Sequence, residues 1–182
     1  MDQMGTRDRM IDAAVAGLQR RGAEGTSFTE ILDASGAARG AIYHHFPGGK
    51  AELLAEAARR NGEQVVAALE SLPTDTTAAL AEAFLDAVRP TMAAAAAGCG
   101  CAVAAVTVGT VDPLREVATG ALDSWTRTLA GRFTDAGMSE EAALDRASLM
   151  IAVLEGAQVL CRAAGSMEPF ERVAQDLLTT EK

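Results

Sequence analysis

The side chains with the most to offer chemically fall between residues 27 and 50: Ser27, Thr29, Arg39, Tyr43, His44, His45 and Lys50, with Gly40 and Ala41 among them. Hydroxyls, a guanidinium, imidazoles and an ammonium at this density suit a polyanion that also has edges to read. Arg39 can fork onto the O6/N7 edge of a guanine, and the small Gly40 and Ala41 let backbone approach base edges. Tyr43, His44 and His45 offer O–H and ring N–H groups to phosphates or a face to thymine methyls. Lys50 stands at the opening of a following helix, where backbone N–H groups and the positive dipole end favour a phosphate. No Ser-His-Asp arrangement, H-x-x-E or phosphate loop occurs in the chain, so the reading is a binding protein with no catalytic residue, no metal site and no cofactor.

Short helices must present these groups. Ser27 followed by Glu30 makes an S-x-x-E capping box, Ile31 and Leu32 supply an apolar face, and Gly36 suits the positive-φ turn that stops the helix. Helix is expected to resume near Ala38-Arg39, with Ile42 and Phe46 (i, i+4) turned inward and Arg39, Gly40, Tyr43 and His44 turned out. Two short helices joined by a tight glycine turn have the shape of a DNA-reading helix-turn-helix.

The stretch GTSFTEILDASGAARGAIYHHFPGGKAELL resembles the N-terminal domain of the TetR family of bacterial transcriptional repressors, and the likeness extends from about Thr6 to about Arg60. It implies operator contacts at Ser27, Thr29, Arg39, Gly40, Ala41, Tyr43, His44, His45 and Lys50. Two positions depart from that family's pattern. Ala38 replaces the usual Ser or Thr N-cap, a loss of about 1 kcal/mol, and the Pro47-Gly48-Gly49 link is one residue longer than the common form.

Charge agrees once it is resolved along the chain. The formal net charge is −9, yet residues 1–60 hold eight basic and eight acidic side chains, so the deficit lies in the remaining two thirds. A neutral head on an acidic body binds DNA in one orientation and repels it in others, which predicts weak non-specific and salt-sensitive specific binding.

The periodicity predicts an all-α chain: an N-terminal three-helix helix-turn-helix DNA-binding domain at 1–50 and a C-terminal helical ligand-binding and dimerisation domain at 51–182. Helix 1 spans about Thr6–Arg21, with Met10, Ile11, Ala14, Val15 and Leu18 as its stripe. A linker helix at about 49–72 stops at Pro73. A fifth runs from Asp75 or Thr76 to about Ala97, bent near Pro90, before a break at Gly98–Gly100 and an apolar segment, Cys101–Val108. Helices follow from Pro113 to Ala136, from about Glu140 to Ala164 after a Ser139 cap, and from Glu168 or Pro169 to about Thr179. The apolar run 147–164 carries Glu155 and Gln158 between Arg146 and Arg162, which argues against a membrane span. Three cysteines without a secretory signal point to a reducing cytoplasm.

The 140–164 helix is apolar nearly all round, as expected of one buried on more than one side. Paired with the 169–179 helix it would form a homodimer, letting two heads read a palindromic operator in double-stranded DNA. Further likeness, in GCGCAVAAVTV at 98–108 and LEGAQVLCRA at 154–163, is to the LmrA/YxaF-like branch of the TetR family; Ala102 stands where that branch has proline. It implies a repressor released by a small, largely apolar or aromatic effector. Candidate pocket residues are Phe84, Val88, Met92, Cys101, Val106, Trp125, Leu129, Met150, Leu154 and Cys161, each of which also suits a plain core. Glu155 and Gln158 either orient the ligand or pair with backbone or a buried arginine such as Arg89. An alternative is a thiol-based redox or metal sensor built on Cys99, Cys101 and Cys161, although two thiolates without a nearby histidine are a poor ligand set.

Overall fold

A computed structural model describes residues 5–108 and 112–179, with the side chains of Asp112 and Thr179 outside the description. The described residues form eight α-helices and one 3-10 turn, and no strand, as the periodicity predicts. The helices are α1 (Thr6–Gly25), α2 (Phe28–Ser35), α3 (Ala41–His45), α4 (Gly49–Glu70), α5 (Thr77–Ala96), α6 (Asp112–Asp135), α7 (Glu140–Ala164) and α8 (Glu168–Thr179). The segment expected to be apolar and irregular, 101–108, contains the 3-10 turn Ala104–Val106.

The chain divides into two compact units, one of Met1–Glu63 with Cys101–Ala121, the other of Gln64–Gly100 with Leu122–Lys182. In the first, Met10, Ile11, Ala14 and Leu18 of α1 are buried together with Ile31, Ile42, Phe46, Leu53 and Leu54. Gly17 lets α1 approach the loop before α2: a Cβ there would lie 2.6 Å from Cγ2 of the fully buried Thr26. The Thr26 hydroxyl donates to the Gly22 carbonyl at 2.7 Å, which secures the left-handed Gly22 (φ 71°) that interrupts α1 just after Arg21.

Local signals set most boundaries. The Ser27–Glu30 capping box is present in both directions, Gly36 is left-handed at φ 65°, and Thr76 and Ser139 accept from the backbone N–H groups of Ala79 and Ala142. α5 continues across Pro90 to Ala96. Two boundaries differ from expectation: α1 resumes past the Gly22 kink and ends at Gly25 rather than near Arg21, and α3 starts late. α3 begins at Ala41 rather than near Ala38-Arg39, because residue 38 has no side chain able to cap; the chain makes a turn there instead, with Ala41 N–H donating to the Ala38 carbonyl at 2.9 Å.

The second unit is a helical body around Phe84, Met92, Trp125, Leu129, Phe133, Met150 and Cys161. Two arginines close helix ends within it: Arg132 donates to the Leu72 carbonyl just past α4, and Arg146 to the Leu177 carbonyl of α8 at 2.8 Å. α7 is long and apolar enough to cross a membrane by length and composition alone, but it is packed on one side against α5 and α8.

Candidate nucleic-acid interface

α3 is only five residues long and cannot hold its own shape in water. Its geometry comes from two buried anchors. Ile42 and Phe46 are essentially inaccessible, each contributing roughly 1.5–3 kcal/mol of apolar burial. The Arg7 guanidinium sits 5.3 Å above the Phe46 ring while its Nη2 donates to Glu56 Oε2 at 2.9 Å. Arg9 Nε donates to the Ser35 carbonyl at 3.0 Å, closing the end of α2. The helix pair is thereby fixed against α1 and α4 through residues 26 to 49 positions apart.

The outward side matches the expected reading edge. Ser27, Thr29, Arg39, Gly40, Tyr43 and His44 are exposed, whereas Ala41, His45 and Lys50 are half-buried. Arg39 makes no hydrogen bond or ion pair among the described residues, and it lies in the turn leading into α3 rather than in its first turn. Tyr43 is 68% exposed, and its ring is steadied by Phe28 in an edge contact at 6.3 Å. Phe28 thus positions a candidate contact that sequence reasoning did not credit; an aromatic immediately after the Ser27 cap was its signal. The His44 and His45 rings meet edge-on at 4.9 Å, and His45 leans toward Phe46 at 6.5 Å.

The link into α4 is more occupied than its sequence suggests. Gly48 N–H donates to Glu52 Oε2 at 2.7 Å and Gly49 N–H to the Phe46 carbonyl at 2.9 Å. Lys50 Nζ lies 3.5 Å from the Glu24 carbonyl, across the end of α1.

Four acidic side chains of the head are paired with arginines. Arg60 bonds Asp8 and, at 3.0 Å, Asp12; Glu56 bonds Arg7 and Arg59; Glu30 lies 3.3 Å from Arg21. The hydrogen bond from Arg60 holds the Asp8 carboxyl below the usual range. Burial alone would raise Glu56, but hydrogen bonds from Arg7 and Arg59 outweigh it and hold its pKa down as well. Carboxylates depressed in this way add stability above their unfolded pKa values and lose it as pH falls through the folded ones. The stability gap between the wild type and Arg60→Gln should therefore be present at pH 7 and close below about pH 4. Urea unfolding at pH 7 and pH 3 checks this; an undiminished gap at pH 3 would contradict the assignment.

The candidate effector residues fall into three groups. Phe84, Val88, Met150 and Leu154 line one shallow apolar crevice in the second unit, together with Phe170, Val173 and Leu177 of α8. Met92, Trp125, Leu129 and Cys161 are closed within the core of the same unit. Cys101 and Val106 belong to the first unit, where the 3-10 turn packs on α1 and Cys101 Sγ accepts from Ala104 N–H at 3.3 Å. Arg89 is not the buried partner suggested for Glu155 and Gln158: it is half-exposed and pairs with Glu171 and Asp86. Among the described residues no group of three or more His, Cys, Asp or Glu side chains is placed to hold a metal.

The fold has close counterparts. A TetR transcriptional regulator from Legionella pneumophila superposes with TM-score 0.86 over 99% of each chain at 22% identity. Regulatory protein TetR from Rhodobacter sphaeroides gives TM-score 0.84 over 96% of this chain and 97% of that one, at 20% identity. Those identities establish fold alone. Residues 10–57 match the bacterial regulatory proteins of the tetR family, and residues 77–176 match the C-terminal domain of LmrA/YxaF-like transcriptional regulators. The chain is a TetR-family transcriptional regulator of the LmrA/YxaF-like branch. This TetR-family regulator is 33% identical, over 95% of its length and 92% of the relative's, to an uncharacterized HTH-type transcriptional regulator of Mycobacterium tuberculosis. It is 29% identical to the HTH-type transcriptional regulator LmrA of Bacillus subtilis, with 93% of each chain covered. As a TetR-family member it is a DNA-binding regulator and not an enzyme.

Proposed function

We propose that the protein is a homodimeric repressor that binds a palindromic operator in double-stranded DNA and is released by a small apolar or aromatic effector. The observation that carries pairing is the outer face of α7. Val159 is 68% exposed, and Leu144, Leu149 and Leu160 are exposed as well. An apolar face of this extent on a chain of net charge −9 suits a second copy of itself better than water. Two heads joined in this way read two half-sites about one or more turns of DNA apart.

Base reading is assigned to Arg39, Gly40, Ala41, Tyr43, His44 and His45, with Ser27, Thr29 and Lys50 on phosphates. The support is the exposed, unpaired Arg39 beside a Tyr43 held outward by Phe28. Arg39→Ala is expected to weaken operator binding by about 1–3 kcal/mol and relax base choice at one position per half-site. Equal weakening on every sequence would make Arg39 a phosphate contact. Release is assigned to the second unit, because α4 runs from the reading unit into it: Gly49 to Glu63 lie in one and Gln64 to Glu70 in the other. An effector that prefers one setting of this helix shifts DNA affinity by no more than that preference. A regulator of this kind acts where the operator is, in the cytoplasm. Gel shifts with DNA flanking the gene, with and without candidate compounds, test the whole scheme. Failure of any compound to release bound DNA would remove the effector from it.

A further inference from the structure

The start of α2 has a charge problem that one arginine resolves. Glu30 Oε2 accepts from the Ser27 backbone N–H at 3.1 Å and from the Ser27 hydroxyl at 3.0 Å, while that hydroxyl accepts from Glu30 N–H at 3.3 Å. Both donors of Ser27 are therefore committed to one carboxylate oxygen. These bonds, the backbone one foremost, hold the Glu30 carboxyl below its usual range, so it is charged at neutral pH. A phosphate offers only acceptor oxygens, and one brought to Ser27 would meet a carboxylate and no available O–H. Arg21 supplies what is missing. Its Nη2 lies 3.3 Å from the same Glu30 Oε2, and its side chain is 41% exposed. It makes no other ion pair and no hydrogen bond among the described residues, which leaves its N–H fork for a second oxyanion. The chain also leaves room for its stem. Gly25 is not among the glycines with positive φ, yet a Cβ there would stand 2.9 Å from Arg21 Cβ. The neighbouring Glu24 carbonyl lies 3.5 Å from Lys50 Nζ, so the end of α1 runs past both expected phosphate contacts, Ser27 and Lys50.

We infer that Arg21 is a further operator contact, its guanidinium aimed by Glu30 and donating to a backbone phosphate beside Ser27 and Thr29. This assignment rests on the DNA-binding reading above, with Lys50 as the reference contact. A phosphate contact fixes register and carries no sequence information of its own. It also releases counterion from the duplex, so its signature is a share of the salt dependence. The guanidinium can face two oxyanions at once because its N–H groups lie along separate edges. An ion pair as exposed as Arg21–Glu30 contributes little to folding, so binding and stability are separable here.

The test uses the full-length protein, with fluorescence anisotropy at about 50 to 200 mM salt. The probes are the DNA flanking the gene and an unrelated duplex of equal length. Arg21→Gln should weaken both by similar factors, about tenfold at the lower salt, and flatten log affinity against log salt by about one for each bound head. Its urea midpoint should match that of the wild type, and Arg21→Lys should restore the slope. Glu30→Gln keeps the capping box without the charge, and Arg21→Gln in that background should still lose about threefold or more. A loss that vanishes there would make Arg21 a counter-charge for Glu30 alone and overturn the proposal. An unchanged salt slope, a loss confined to the flanking DNA, a lowered urea midpoint or failure to fold overturns it as well. Lys50→Gln distinguishes the two levels of failure. If it flattens the slope and Arg21→Gln does not, Arg21 alone is misassigned; if neither does, the phosphate reading of the whole edge falls with it.

Discussion

Val159→Arg is expected to leave the protein monomeric in solution and to weaken operator binding by about a thousandfold or more, the scale separating specific from non-specific association. At 100° per residue, Ser148, Ala152, Gly156, Val159 and Ala163 fall along the middle of the exposed face of α7. Leu144 lies toward one edge of that face, with Leu149 and Leu160 toward the other. The central residues are mostly small, which lets a second helix approach closely, and the flanking leucines close over the seam. Each large apolar side chain covered contributes roughly 1.5–3 kcal/mol. A guanidinium at position 159 of both copies would set two like charges together where water is excluded, a cost of several kcal/mol. The same substitution in an isolated body should cost little, because the site faces solvent there. Light scattering coupled to size-exclusion reads the mass, and gel shifts on full and half operators read the DNA. A dimer that persists would place the pairing surface elsewhere.

Phe46→Ala is expected to destabilise the reading unit by about 3–5 kcal/mol, a large share of the roughly 5–15 kcal/mol that holds a domain folded. The ring is completely buried, and the Phe46 N–H closes α3 by donating to the Ile42 carbonyl at 2.6 Å. Removing the ring opens a cavity beneath α3 and takes away the surface on which the Arg7 guanidinium rests. Five residues of helix cannot persist without that support, so operator binding should fail even at temperatures where the second unit stays helical. Phe46→Leu should recover much of both. Urea unfolding followed by circular dichroism, with gel shifts at matched temperature, separates these outcomes. Tight operator binding by the alanine variant would show that α3 is positioned by something other than its buried edge.

Much of the helix map was legible because caps and turns act over three or four residues. Ser27 with Glu30, Gly36 and Ser139 can be read from nearest neighbours in the chain, and each occupies its expected place. The late start of α3 was also written locally, in Ala38, although its effect is a turn and not only a weaker helix. The inward placement of Ile42 and Phe46 followed from their i, i+4 spacing.

Long-range partners were not legible. Arg60 with Asp8 and Asp12, Arg7 over Phe46, and Gly17 against Thr26 depend on how helices cross, which periodicity does not specify. The grouping of Cys101 and Val106 with α1, apart from the apolar crevice, is of the same kind, as is the share of α8 in lining that crevice. The order of residues alone determined where helices begin and end and which edge of each is apolar, since those are properties of one turn. Tertiary packing alone decided which arginine met which carboxylate, because partners far apart in the chain are chosen only when whole helices come together.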